Sequence, residues 1–204
     1  MPKTKEAIFN TFIEMTSSVG YENVGMRDIA QKININAASM YYHFPSKAKM
    51  LEHAYDYYVE HQYDTRRPVA DMCALIETAP VEKLIPAFFF TFEGLPPEQY
   101  MRMILITKII YMRLYQDPLA NKIFQEGDQD NHKYLVEILS HGQKVGRVKP
   151  DFDIDTFSDV LIGSLQIMGV KAFAQFDYEV GQLEQEKRIL ALLTRLLATG
   201  LTDR

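Results

Sequence analysis

The stretch Asn36 to Lys47 reads Asn-Ala-Ala-Ser-Met-Tyr-Tyr-His-Phe-Pro-Ser-Lys and leaves room for only one short helix. Asn36 is a good N-cap, because its side-chain oxygen can accept an amide proton that the first turn leaves free. Pro45 disfavours helical geometry at the residue before it, so the spacing predicts about two turns, Ala37 to Phe44. Met40 and Phe44 stand at i and i+4 and share the face that anchors the turn to a core. Ala37, Ser39, Tyr41, Tyr42 and His43 are left pointing outward. A helix this short has little stability of its own, so neighbours must hold it and its polar face must serve something outside.

The preceding segment supplies the holder. Met26, Ile29, Ala30 and Ile33 form one stripe of a second short helix, and Asn34 suits a tight left-handed turn. Helix, short turn and second short helix is the helix-turn-helix plan, whose second helix enters the DNA major groove.

Gly20-Tyr21, Met26-Arg27-Asp28-Ile29-Ala30 and Met40-Tyr41-Tyr42-His43-Phe44 with Ser46-Lys47 together resemble the DNA-binding domain of the tetracycline-repressor (TetR) family over roughly the first quarter of the chain. The resemblance implies phosphate contacts from Tyr41, Tyr42, His43 and Lys47, and a first helical turn that faces bases. Three departures stand out. The family usually carries glycine where Ala38 stands and often a polar residue where Ala37 stands. A hydroxyl is common where Gly25 sits. Alanine can at most touch a thymine methyl, which leaves Ser39, Tyr42 and Arg27 as base readers beside the capping Asn36.

The first 50 residues hold six bases against four acids, and the remainder 16 against 23, within a net charge of −5. A mildly basic head on an acidic body suits a protein that meets DNA with its head alone. There is no uncharged apolar run of 18 residues and no signal-type N-terminus, and Cys73 is the single cysteine. These features predict a cytoplasmic protein without membrane span, internal disulfide, metal cluster or cofactor.

The expected fold is all-α. A helix-turn-helix DNA-binding domain over 1–48 is joined by a helix over 47–67 to a helical effector-binding and dimerisation domain over 68–204. The first helix is expected over Lys3 to Ser18, with Ile8, Phe12, Met15 and Val19 inward and Gly20 as its stop. The fourth runs from Lys47, capped by Ser46, towards Arg67, with Leu51, Ala54, Tyr55, Tyr58 and Val59 inward and Glu52, His53, Asp56, Glu60 and His61 on a solvated face. Six further helices are predicted near Val69–Thr78, Val81–Glu93, Glu98–Tyr115, Pro118–Gly146, Asp153–Phe176 and Gln182–Thr199, with Pro86 as a possible start.

Tyr100, Met103, Ile104, Thr107 and Tyr111 share one helical face, which carries aromatics, a sulfur and a hydroxyl; Phe89, Phe92 and Glu93 precede them. The pattern fits either plain core or the apolar chamber of a small-molecule site, and the family resemblance implies an effector cavity here. Gln166 is a candidate polar partner, with Arg102, Arg113 and His132 as others. The last two helices carry more apolar surface than one side of a monomer needs, which predicts a homodimer. No nucleophile lies at a recognisable spacing from a base, and His132, Glu137 and His141 do not share one face, so an enzyme is not expected.

The reading that joins these observations is a ligand-responsive transcriptional regulator, a repressor that binds a palindromic operator as a dimer and is released by a small apolar or aromatic effector. The alternative is an all-helical dimeric interaction protein without effector control.

Overall fold

The computed structural model describes residues 3–64, 66–88, 96–174 and 180–202, and among these the side chains of all but 3, 169–174 and 180–186. Ten α-helices occupy the described residues: α1 Lys3–Val19, α2 Met26–Lys32, α3 Ala37–His43, α4 Lys47–His61, α5 Val69–Thr78, α6 Val81–Phe88, α7 Pro97–Arg113, α8 Pro118–Lys144, α9 Ile154–Ala174 and α10 Val180–Gly200. The only extended pairing among them is an isolated antiparallel bridge between Val148 and Leu201.

The capping chemistry accounts for most boundaries. Gly20 takes φ +88° and returns its amide to the Thr16 carbonyl, which stops α1. Asn34 holds φ +55° in the turn between α2 and α3. The Leu119 amide bonds the Asp117 carboxylate at 3.0 Å, and the Thr156 amide bonds Asp153 at 3.0 Å, so both aspartates act as starts for α8 and α9. Two expectations differ. Helix α4 ends at His61, short of Arg67, where the His61 ring turns to the Asp64 carboxylate at 2.7 Å. Pro86 lies inside α6 and starts no new helix. Phe89 to Glu93, and the expected end of α9 at Phe176, fall outside the described residues.

The chain forms two compact units, Met1–Asp64 with Phe92–Phe124, and Thr65–Thr91 with Gln125–Arg204. They cut the chain differently from the expected boundary near residue 68, because α7 packs on α1 and α4. In the first unit Ile8, Phe9, Phe12, Ile29, Met40 and Met50 are fully buried, and Ile106, Ile109 and Ile110 of α7 complete the same core. Val19 and Val59 were expected inward but are about half exposed, since each sits at the edge of its helix's apolar stripe. In the second unit α6, α9 and α10 pack around Leu84, Ile138, Leu161 and Leu197. Its C-terminal end is clasped to the loop after α8. Lys149 donates its amide to the Gly200 carbonyl at 2.7 Å, and Arg147 donates to the Thr202 carbonyl at 2.9 Å. A Cβ on Gly200 would lie 2.2 Å from the Phe152 ring, so only glycine fits there.

Candidate nucleic-acid interface

Helix α3 is held on one side and bare on the other. The Ser39 amide donates to Asn36 Oδ1 at 2.7 Å, which is the N-cap expected from sequence. Met40 is fully buried and Phe44 is 3% exposed, so the inner face of this seven-residue helix is fixed to the core. The Ile35 amide reaches back to the Ala30 carbonyl at 2.9 Å, which sets the turn from α2. Asp28 accepts the Gly25 amide at 2.9 Å and starts α2 without the hydroxyl cap that Gly25 lacks.

The outer face follows the expected pattern in Ala37, Tyr41 and Tyr42 and departs from it at Ser39 and His43. Asn36, Ala37, Tyr41 and Tyr42 are exposed, Tyr42 by 85%, while Ser39 and His43 are half-buried. The Tyr42 and His43 rings meet edge to face with centroids 5.1 Å apart. Arg27 is exposed on α2. Lys47 is placed differently from a free phosphate-seeking side chain. Its ammonium donates to the Tyr21 carbonyl at 2.8 Å and lies 4.1 Å from the Tyr21 ring centroid, so one of its three protons is already used.

Sequence reasoning missed what stands behind this surface. Arg102, read as a polar partner for an effector, donates to Glu6 at 3.0 Å and Asn10 at 3.1 Å on α1, and its guanidinium lies 5.1 Å from the Tyr57 ring. Arg113, read the same way, donates to Glu22 at 3.0 Å and Asp117 at 3.3 Å and lies 4.3 Å from the Tyr21 ring. Both arginines lie on the side of α7 that meets the head. Their spacing, eleven residues apart and hence about three helical turns, is the signal that could have shown it.

His53 also departs from the solvated face assigned to it. Its ring lies 4.7 Å from Phe9 and 5.8 Å from Phe44, and Nε2 is buried without a partner. Desolvation and the nearby Lys5 ammonium push its pKa below the usual imidazole value. Glu52, Asp56 and Glu60 on the same helix are exposed as expected.

Of the expected effector residues, Tyr100, Met103, Ile104, Thr107 and Tyr111 lie together along α7 in the first unit. Met103 is buried and the others are half-buried. Thr107 donates to the Met103 carbonyl at 2.8 Å, and the Tyr111 ring meets Phe124 edge-on at 5.5 Å. Gln166 belongs to the second unit, where it donates to Asp128 at 2.6 Å. Phe89, Phe92 and Glu93 lie outside the described residues. A cleft of about 400 Å³ in the second unit is lined by Phe152, Phe157, Val160 and Leu196 among others, and by none of the expected effector residues.

His132 lies between Asp155 and Asp159 at 3.1 and 2.9 Å, and His141 meets Glu77 at 2.7 Å. Among the described residues no group of three or more His, Cys, Asp or Glu is arranged to hold a metal ion, and no helix is long and apolar enough to cross a membrane.

The model of the bacterial regulatory proteins of the tetR family matches residues 4–54, a span that runs from α1 into α4 and includes the whole of α3. The HTH-type transcriptional repressor KstR2 of Mycobacterium tuberculosis is 27% identical over 141 residues, 69% of this chain and 67% of that protein. The icaADBC operon negative transcriptional regulator IcaR of Staphylococcus aureus is 26% identical over 187 residues, 90% of each chain. The solved structure of the M. tuberculosis ketosteroid regulator KstR2 covers 100% of this chain and 97% of its own, with a TM-score of 0.65 at 19% identity. A SmeT–triclosan complex covers 98% of this chain and 92% of its own, with a TM-score of 0.61 at 17% identity. KstR2 and IcaR are both transcriptional regulators. Residues 4–54 of this chain, with the capped and outward-facing α3 among them, match the tetR family of bacterial regulatory proteins.

Proposed function

We propose that the protein is a dimeric, effector-released repressor. The observation that carries this reading is α3, whose buried Met40 and Phe44 hold Asn36, Ala37, Tyr41 and Tyr42 outward as a groove-reading face, with the half-buried Ser39 and His43 beside them and Arg27 and Lys47 on the flanks. Two such heads on a two-fold axis meet half-sites about 34–36 Å apart, which makes the operator palindromic. The two-fold contact falls on α9 and α10. Val160, Ile167, Leu192 and Leu196 are each 38–56% exposed there, and a Cβ on Gly163 would meet nothing within 4 Å.

The effector is a small apolar or aromatic molecule taken up beside Tyr100, Met103, Ile104, Thr107 and Tyr111, with Phe89, Phe92, Glu93 and Gln166 as further contributors. The triclosan complex of SmeT supports a ligand of that chemistry. Helix α7 supports the coupling, because its other face is tied to α1 through Arg102 and to the loop before α2 through Arg113. A ligand shifts the balance of two head arrangements only by its differential affinity for them, roughly 10⁴-fold to move from 1:99 to 99:1.

The test is a gel shift with the intergenic DNA beside the protein's own gene, followed by titration with hydrophobic and aromatic compounds. Sequence-specific retardation of one dimer per palindrome, released by a compound that also raises the melting temperature, is the expected result. Absence of any specific retardation would leave the dimeric interaction protein as the reading.

A further inference from the structure

The side chains on α3 limit which bases it can read. A recognition helix meets base edges with its N-terminal residues, here Asn36, Ala37, Ala38 and Ser39. Discrimination by hydrogen bonding in the major groove rests on two-pronged contacts: Arg or Lys on guanine, Asn or Gln on adenine. Helix α3 contains no Arg, Lys or Gln. Asn36 could grip adenine only with its amide oxygen accepting from N6, and that oxygen already accepts the Ser39 amide at 2.7 Å, which ties the side chain to the helix cap and leaves a single lone pair. Ser39 is half-buried, and a hydroxyl that both donates and accepts separates the bases poorly. Arg27 belongs to α2, the helix that crosses the backbone in this motif.

What the first turn does expose is the pair of methyl groups on Ala37 and Ala38. The major groove offers a single apolar group in return, the C5 methyl of thymine. We infer that Ala37 and Ala38 select the operator by apolar contact with thymine methyls, so that each half-site carries thymine under the first turn of α3. The inference rests on the DNA-binding role of α3 and adds the chemical class of the bases it prefers. Asn36 contributes its two amide protons to an acceptor without choosing between bases. Tyr41 and Tyr42 position the helix from the flanks.

The deciding measurement acts on the DNA and uses the natural protein, so the folding of a variant does not enter it. A half-site palindrome is selected from a random-sequence duplex pool with the full-length protein. Each thymine in it is then replaced singly by deoxyuridine, which removes the methyl and keeps the hydrogen-bonding edge. Affinity is read by fluorescence anisotropy across a salt series. One or two thymines per half-site whose replacement weakens binding about fourfold each, with the salt slope unchanged, is the expected result. At those positions an Ala37→Gly or Ala38→Gly protein loses the difference between thymine and uracil. Uniform indifference to uracil, with sequence preference intact, overturns the inference and leaves the regulator standing. Failure of the pool to enrich any sequence overturns both.

Discussion

The phenol of Tyr55 on α4 donates to the Asp117 carboxylate at the start of α8, 62 residues further along, at 3.0 Å. Asp117 also accepts from Arg113 at 3.3 Å and from the Leu119 amide at 3.0 Å, and Arg113 reaches Glu22 beside the head's first turn. One carboxylate therefore gathers α4, the end of α7 and the start of α8. Burial and the bond to Asp117 push the Tyr55 phenol well above its usual range. Burial alone would raise the Asp117 pKa, yet the bonds from Tyr55, the Leu119 amide and Arg113 outweigh it and lower the pKa.

A Tyr55→Phe protein keeps the ring packing and loses the bond, which costs about 1–2 kcal/mol of stability at neutral pH. Because the folded pKa of Asp117 is depressed, its contribution is present above the ordinary carboxylate pKa and fades as pH falls through the folded value. Urea unfolding at pH 7 and at pH 3 checks this: the gap between the two proteins should narrow at the lower pH. An equal gap at both would separate Tyr55 from the Asp117 charge.

The proposed function gives Lys47 a phosphate contact beside its bond to Tyr21, and a single substitution can separate the two. Its ammonium is bonded to the Tyr21 carbonyl, and two protons remain for a phosphate. Lys47→Met retains the stem and removes the charge. DNA binding should weaken by a similar factor on operator and random duplex, and the slope of log affinity on log salt should fall by about one. A lowered melting temperature with an unaltered salt slope would make Lys47 a tether between α4 and Tyr21 alone.

His53 gives the head a dependence on mild acid. Lys5 from α1 and Arg102 from α7 oppose its protonation, while Asp56 and Glu60 on its own helix favour it, and burial tips the balance towards the neutral ring. Its folded pKa lies below the unfolded value of about 6.5. The stabilisation is whole above that pH and declines as pH falls towards the folded pKa. A His53→Phe protein has nothing to protonate between Phe9 and Phe44. The stability difference between it and the natural protein, followed from pH 7.5 to 5, should move in favour of the variant on acidification. A difference independent of pH would mean that the ring accepts its proton freely.

Helix α3 was legible in the sequence because everything that defines it is local. Asn36 caps it, Met40 and Phe44 are one turn apart, and Pro45 closes it. The same holds for Gly20 and Asn34, each a backbone requirement written at a single position. The placement of α7 was not legible. The partners of Arg102 lie 92 and 96 residues away, and Glu22, which ties Arg113 to the head, lies 91 away. Helical periodicity says which residues share a face without saying what the face meets. His53 was hidden by its neighbours Glu52 and Asp56, whose charge suggests water on every side of that turn. For the effector residues, periodicity joined Tyr100 through Tyr111, but it had no means of relating them to Gln166 in another unit.

The dimer reading turns on α9 and α10. Leu192 is 50% exposed and Leu196 is 38% exposed, so neither is needed for the core of its own chain, in contrast to Leu193 and Leu197 at 1% and 0%. Leu192→Glu should therefore leave the fold intact. On a two-fold contact each substitution appears twice, and even at the roughly 1–3 kcal/mol of an unpaired neutral polar group, the least a protonated carboxyl would cost, the dimer weakens by at least about 30-fold. Sedimentation should show monomer at micromolar concentration. Affinity for a full palindrome should fall to that for an isolated half-site, because each head would then bind alone. Leu193→Glu, by contrast, should lower the melting temperature before it affects assembly. If Leu192→Glu remains dimeric and still binds the palindrome as one complex, the two-fold contact lies elsewhere than on α10.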